Sequence, residues 1–349
     1  MEGGTLEGGA LEGGTLEGGT LECRLALALA VAWRAAAPPE APFAALWEPD
    51  ARYAAPAAAA TTKTPTTILA VTERHRGATA RVRSGTASSS LGSLGIKEIA
   101  SCAMTDAIKA ETIRLAGHGG DELEAYFSQP LAEGPYGGLV VIHHTPGYDE
   151  ATKEITRRIA DHGYFAICPN LYSREGIGSD PAEAAAAVRQ KGGVPDDQLV
   201  GDVDGAVRYL RSLDRSNAKV GTIGYCSGGR QSFLAACSLQ LDAAVDCYGA
   251  FIVHEPPAEL HLRARPIVQL ARDLSCPLLG LFGAQDEHPS PEETAALARA
   301  LEDAGKTFEF HTFENAGHAF FATDRPMYRP EAANRAWPIV WDFFERTLR

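Results

Sequence analysis

The stretch of sequence that decides the fold is Gly224-Tyr225-Cys226-Ser227-Gly228-Gly229-Arg230. An apolar run over 219–223 precedes it and a helix-like segment over 231–236 follows it. The chain is therefore expected to pass from a strand through a tight turn into a helix, which is the pattern of a nucleophile elbow. Glycines two positions before and two positions after Cys226 leave room for such a turn. A helix N-terminus favours negative charge, so a thiolate at Cys226 would be stabilised there.

Strand and helix signals alternate along the rest of the chain. Residues 108–115 and 122–127 predict a hairpin, and 139–143 is a continuous apolar run typical of a strand buried on both faces. Further strands are predicted at 165–169, 219–225, 243–248, 278–283 and 308–313, and helices at 152–162, 181–190, 198–213, 291–304 and 332–347. This alternation predicts an α/β fold with a doubly wound, mainly parallel sheet and helices on both faces.

Two further residues follow predicted strands in positions that suit catalysis. Asp286 comes after the strand at 278–283, and His318 comes after the strand at 308–313. Functional residues in such sheets lie at the carboxyl ends of the strands, so we expect Cys226, Asp286 and His318 to meet there. His318 would take the thiol proton and Asp286 would orient the imidazole. We also expect the backbone N–H groups of Ser227 and of the 144–145 loop, assigned to Thr145, to bind an oxyanion.

Each of these residues also has a structural interpretation. A Gly-x-Cys-x-Gly stretch can surround a buried structural cysteine, Asp286 can be a turn residue or a helix N-cap, and His318 can be a solvated loop histidine. His288 is a rival for the role of base. A metal site at His143-His144 with His118 or His162 is disfavoured, because adjacent residues on a strand point to opposite faces. We expect no metal and no cofactor.

The segment from about 108 to 348 resembles the dienelactone hydrolase family of α/β-hydrolases. The matching motifs lie around Cys226, Asp286 and His318 and in Cys168-Pro169-Asn170-Leu171-Tyr172-Ser173-Arg174. The resemblance implies an α/β-hydrolase fold, the chain order nucleophile–acid–histidine and a Cys-His-Asp triad without a metal. It also implies hydrolysis of an enol-lactone or related ester, with Arg174 binding a substrate carboxylate.

Two departures from the family pattern affect the expected substrate. His144 stands where well-known members carry a glutamate near the thiol, so we assign it provisionally to the substrate site. Ala322 stands where those members have a second substrate arginine. A broader carboxylesterase or thioesterase pocket is therefore an alternative, and a non-catalytic or redox-sensing protein of the same fold is another. The long connection over 250–275 is expected to shape the mouth of the site.

Charge and cysteine usage limit the partners. The chain of 349 residues has a net charge of −13, and residues 1–103 carry ten acidic and nine basic side chains, so the excess of acid lies beyond them. Without a basic cluster, nucleic acid and membrane surfaces are not expected partners. Seven cysteines without a CxxC pair indicate a reducing, cytoplasmic compartment. We expect a small-molecule ester or lactone substrate, and a monomer or a homodimer.

The first 103 residues have a different composition. Residues 2–21 repeat a five-residue unit with two glycines, and no regular hydrophobic period follows up to residue 103. Such a segment cannot bury a core, so we predict a disordered low-complexity arm over 1–103 and a hydrolase domain over 104–349. Met104 stands directly before the patterned sequence and is a candidate for the true start of translation.

Overall fold

The structure is a computed structural model that describes residues 107–145 and 147–349. The predicted arm over 1–103 and the candidate start at Met104 lie outside the described residues. Within them, eight strands form one sheet in the order β1-β2-β4-β3-β5-β6-β7-β8. The strands are β1 Ile108–Ala116, β2 Glu122–Pro130, β3 Tyr136–Ile142, β4 Phe165–Pro169, β5 Ser216–Tyr225, β6 Ala243–Cys247, β7 Leu278–Gly283 and β8 Phe308–Phe313.

The sheet is mainly parallel. Strands β1 and β2 form the predicted antiparallel hairpin, and β2 also pairs antiparallel with β4. All other neighbouring strands run parallel, from β4 through to β8. Because the parallel strands end at one edge, the loops after β3, β5, β7 and β8 share that edge, which fits the predicted place of the site.

Six α-helices connect the strands. They are α1 Glu150–Asp161, α2 Pro181–Gln190, α3 Asp196–Arg211, α4 Ser227–Ser238, α5 Pro291–Asp303 and α6 Pro330–Leu348. Their ends follow local chemistry: the Asp149 side chain accepts from the Thr152 N–H at the start of α1, and Ser290 with Glu293 forms a capping box on α5. The predicted helices and strands are present, with ends shifted by a few residues.

Alternation along the central strands divides the core between the two faces of the sheet. In β3, Val140 and Ile142 pack with helices α2 to α5, whereas Leu139 and Val141 pack on the opposite face with α1 and α6. Successive side chains of a strand point to opposite faces, so one buried run supplies both layers. The predicted doubly wound α/β architecture with helices on both faces is therefore confirmed.

Among the described residues, none of the helices is both long and apolar enough to cross a bilayer.

Candidate active site

Cys226 lies at the bend between β5 and α4, in a backbone conformation that residues other than glycine rarely adopt. Its φ is 57° and its ψ is −120°, and its N–H donates to the Cys247 carbonyl at 3.0 Å. A side chain on Gly224 would overlap the Gly228 carbonyl oxygen, and one on Gly228 would overlap that of Ile142. The turn thus requires both glycines. It holds Cys226 in a strained backbone conformation at a strand end, and such strain is often found at functional sites. Cys226 is 7 % exposed.

Asp286 and His318 meet in the geometry that the sequence predicts. Asp286 Oδ2 lies 2.9 Å from His318 Nδ1, and the other carboxylate oxygen accepts the His288 backbone N–H at 2.9 Å. The Asp286 side chain is fully buried, so its charge acts with little screening by solvent. The imidazole of the rival His288 lies towards Glu293, with Nδ1 3.7 Å from Glu293 Oε2.

His318 connects this acid to Cys226. Burial by itself lowers the pKa of His318, but a negative charge on the Cys226 sulfur, the charge of Asp286 and hydrogen bonds to both raise it well above its ordinary value. The imidazole is therefore set between two groups that stabilise its protonated form. His318 thus interacts with both Cys226 and Asp286, and its hydrogen bond to Asp286 fixes the orientation of the ring.

The loop after β3 approaches the elbow from the other side. Thr145 Oγ1 lies 3.4 Å from Ser227 Oγ and 3.3 Å from the Tyr172 hydroxyl. The buried His143 supports this loop: its Nε2 accepts the Leu171 N–H at 3.2 Å, and its other ring nitrogen lies 3.0 Å from the His144 carbonyl. Burial lowers the pKa of His143 to about 4, so this ring is a neutral support. The side chains of Thr145 and Ser227 thus lie side by side, and the use of their N–H groups for an oxyanion stays a prediction.

A cavity of about 300 Å³, here called the arginine cavity, opens beside Ser227 and Thr145. Four of its lining residues are arginines: Arg189, Arg230, Arg263 and Arg265. Arg230 is buried and makes a two-pronged ion pair with Asp196, at 2.8 and 3.0 Å, and it donates to the Arg265 carbonyl at 2.9 Å. Arg189, Arg263 and Arg265 have no carboxylate at ion-pair distance among residues 107–145 and 147–349. The cavity therefore presents cationic groups in an acidic protein.

Arg174 does not line this cavity, and its predicted role as the substrate arginine is corrected on this point. Its guanidinium is held by two carboxylates, with Nε 2.8 Å from Asp121 Oδ2 and Nη1 2.8 Å from Asp202 Oδ2. Asp202 is fully buried, so Arg174 neutralises an interior charge and ties α3 to the β1–β2 turn. The sequence did not indicate that Arg174 lies outside this cavity, because Arg174 belongs to the same family motif as Leu171 and Tyr172, which line it.

His144 is likewise placed away from the arginine cavity. It lines a second cavity, and its Nε2 lies 3.2 Å from Asp149 Oδ2. Burial favours a higher pKa for Asp149, but the hydrogen bond and charge of His144 lower that pKa well below its usual range. His144 is thus paired with the N-cap of α1, and its assignment to the substrate site stays a prediction.

Comparison with known proteins decides the family. The sequence model of the dienelactone hydrolase family matches residues 123–348. The chain belongs to the dienelactone hydrolase family. The match covers nearly all of the described residues and includes Cys226, Asp286 and His318.

This chain matches most of the length of curated relatives and of a solved structure in this family. A protein named "Putative carboxymethylenebutenolidase" from Methylorubrum extorquens is 35 % identical over 227 residues, which are 64 % of this chain and 77 % of that protein. The carboxymethylenebutenolidase of Pseudomonas putida is 30 % identical over 238 residues, or 67 % and 95 %. A crystal structure titled "Putative Dienelactone Hydrolase" from Klebsiella pneumoniae has 31 % identity and a TM-score of 0.61, over 69 % of this chain and 99 % of that one.

The residues considered for a metal site are not gathered. Among the described residues, the structure has no group of three or more histidine, cysteine, aspartate or glutamate side chains that could hold a metal ion. The His162 ring stacks on Trp341 at 3.8 Å between centroids, while His143 supports the loop after β3. His118 packs against Gly201 in α3.

Some residues next to this family site were not found from the sequence. The Tyr248 ring packs edge-on against His318, with 5.2 Å between centroids. Asp246 in β6 is fully buried; one oxygen accepts the Gly249 N–H at 2.7 Å, and the other has no hydrogen-bond partner among the described residues. Burial, with a smaller contribution from the charge of Asp286, raises the pKa of Asp246 to about 7. Only the aspartate inside an apolar run, Ala244-Val245-Asp246-Cys247, could have signalled it.

Proposed function

We propose that this chain, a hydrolase of the dienelactone hydrolase family, cleaves esters or lactones in the manner of a carboxymethylenebutenolidase, with Cys226 as nucleophile, His318 as base and Asp286 as the orienting acid. The observation that carries the proposal is the meeting of three groups from three separate strand ends: Asp286 Oδ2 lies 2.9 Å from His318 Nδ1, and the Cys226 sulfur interacts with His318 and favours its protonated form. A structural cysteine needs neither partner.

The geometry supports a two-step acyl transfer. The Cys226 thiolate attacks the carbonyl carbon, a C–S bond forms, and the carbonyl electrons move onto oxygen. The N–H of Ser227, in the first turn of α4 without an intrahelical partner, and that of Thr145 donate to this oxyanion. The C–O bond then breaks, and the leaving oxygen takes the proton that His318 holds.

Hydrolysis of the resulting thioester returns the enzyme to its starting form. Water attacks the acyl carbon while His318 accepts one of its protons, and the C–S bond breaks to release the acid and the thiolate. Asp286 keeps Nδ1 of His318 bonded throughout, so the other ring nitrogen faces the reaction. With a lactone, the alcohol formed in the first step stays attached to the acyl group.

The arginine cavity favours a substrate that carries a negative charge apart from the scissile bond. Arg189, Arg263 and Arg265 line the space next to the oxyanion donors, and only Asp196 among the lining residues opposes their charge. Guanidinium groups bind carboxylates through paired hydrogen bonds. We therefore assign the substrate carboxylate to this cavity and not to Arg174.

Hydrolysis of a chromogenic short-chain aryl ester tests the catalytic group. Cys226→Ala and His318→Ala are each expected to lower kcat by roughly 10³-fold or more, because nucleophile and base act as one unit. Cys237→Ala is the matched control, since Cys237 lies on the same helix α4 outside the group and is expected to leave kcat unchanged. Unchanged rates in both of the first two variants would end the proposal.

A further inference from the structure

A second cavity, here called the aromatic cavity, lies on the opposite face of the sheet from the arginine cavity. It has a volume of about 160 Å³ and is bounded by α1, α6 and the segment after His318. Five aromatic rings line it: Tyr225, Tyr248, Phe321, Tyr328 and Trp337. Phe321 packs edge-on against both Tyr225 and Trp337, at 5.7 and 5.2 Å between centroids, so the walls are themselves packed in place. The cavity thus has aromatic walls that are held in place by their own contacts.

One polar group of this cavity has no hydrogen-bond partner in the described part of the chain. The Tyr225 side chain is 3 % exposed, and its hydroxyl has no hydrogen-bond partner among the described residues. A buried hydroxyl without a partner costs free energy unless a ligand or water binds it. Burial raises the pKa of Tyr225 well above its ordinary value, while the charge of Arg158 acts in the opposite direction.

Arg158 supplies a positive charge at the mouth of the cavity. Its guanidinium lies 4.9 Å from the Trp337 ring centroid, and no carboxylate within the described part of the chain is at ion-pair distance. Glu154 also lines the cavity, but its carboxylate is bonded to Arg157 at 2.8 Å. The cavity therefore combines aromatic walls with one cation and one buried hydroxyl donor.

We propose that the aromatic cavity binds a small aromatic carboxylate of the benzoate class, with its ring against the aromatic walls and its carboxylate on Arg158 and the Tyr225 hydroxyl. The ring packs against aromatic side chains, and the carboxylate accepts from the Arg158 guanidinium and from the Tyr225 hydroxyl, which has no hydrogen-bond partner among the described residues. Nothing in this step depends on the proposed triad. Tyr248 separates the cavity from His318, so a bound ligand lies one side chain from the catalytic histidine.

Titration of the full-length protein with benzoate tests the site, read by calorimetry and by the fluorescence of Trp337. Saturable binding is expected. Arg158→Gln is expected to weaken it roughly tenfold and Tyr225→Phe by a smaller factor, through loss of charge-assisted hydrogen bonds. Arg157→Gln is the matched control on the same helix, because Arg157 pairs with Glu154 and the Tyr126 hydroxyl. Circular dichroism verifies that each variant folds. If Arg158→Gln does not fold, Arg158→Lys is used instead, because it keeps the positive charge.

Three further measurements separate this site from the arginine cavity and from the proposed function. Arg189→Gln and Cys226→Ser are expected to bind benzoate as the parent chain does. Cyclohexanecarboxylate and benzyl alcohol, which lack the flat ring or the charge, are expected to bind more weakly. Absence of saturable binding at millimolar benzoate, or binding lost in Arg189→Gln but kept in Arg158→Gln, would overturn the proposal.

Discussion

The two cavities differ in chemistry although residues on either side of Cys226 line them. Tyr225, the last residue of β5, lines the aromatic cavity, and Ser227, the first residue of α4, lines the arginine cavity. The chain turns sharply at Cys226, where φ is 57°, so residues two positions apart lie in different environments. The sheet is therefore a partition, with a cationic space on the side of α4 and an aromatic space on the side of α1 and α6.

This partition indicates how the chain can separate binding from chemistry. The groups of the proposed triad come from the strand ends themselves, whereas the cavity walls come from helices and loops. The connection over 250–275 contributes Arg263 and Arg265 to the arginine cavity, in line with its expected influence on the mouth. Loops can change selectivity while the strand ends remain the same.

The largest expected effect is a loss of hydrolysis in a variant that leaves both cavities intact. Asp286→Asn is expected to lower kcat by about 10³–10⁴-fold, because the imidazole loses its orienting carboxylate. The charge and hydrogen bond of Asp286 raise the pKa of His318, so this pKa is expected to fall in the variant, as measured by NMR. Benzoate binding should not change.

Asp324→Asn is the control for this variant, since Asp324 is exposed and is not one of the three residues of the proposed triad. Equal kcat in Asp286→Asn and the parent chain would show that the strand-end group does not carry the chemistry.

A smaller effect is expected when the charge of the arginine cavity is reduced. Arg189→Gln is expected to raise KM for an ester bearing a free carboxylate by roughly tenfold, because a charge-assisted contact is lost. KM for the neutral ester of the same alcohol should change little. Steady-state kinetics with this substrate pair measures the difference.

Arg174→Gln tests the assignment of the substrate carboxylate to Arg174, which the family resemblance implies. The ratio of KM values for charged and neutral esters is expected to stay at the parent value in this variant. Arg158→Gln, on the aromatic side, is expected to leave that ratio unchanged as well. A ratio that collapses in Arg174→Gln and not in Arg189→Gln would contradict the partition of charge between the two faces.

A separate effect, on stability and not on activity, is expected on the face that holds the arginine cavity. The pKa of Asp246 is about 7 in the folded chain and roughly 3.9 in an unfolded one, so the folded state holds an extra proton between these values. The free energy of unfolding therefore falls as the pH rises from about 4 to about 7, by up to roughly 4 kcal/mol from this group.

Asp246→Asn removes this titration and is expected to reduce the difference in unfolding free energy between pH 5 and pH 8, measured by urea denaturation. Asp204→Asn is the control, because Asp204 is exposed and pairs only with Arg208 along α3. The same pH dependence in Asp246→Asn and the parent chain would refute the buried, protonated state.

Much of the fold and the central group could be predicted from local pattern. The glycines around Cys226 allow the sharp turn between β5 and α4, which larger residues would block. The alternation of strands and helices places Asp286 and His318 at the edge where the parallel strands end. The prediction for Arg174 failed because the role of this residue depends on partners distant in sequence. Arg174 is held by Asp121 and Asp202, and no sequence motif marks these pairs.

The sequence by itself determined the α/β architecture, the elbow and the order of the three groups, because these follow from short-range sterics, hydrophobic period and chain direction. Only the tertiary structure decided which arginines surround the reaction space, where Asp246 is buried and which two cavities flank Cys226. Those features arise from side chains that meet across the faces of the sheet, where charge pairing and burial depend on distances that the linear order does not contain.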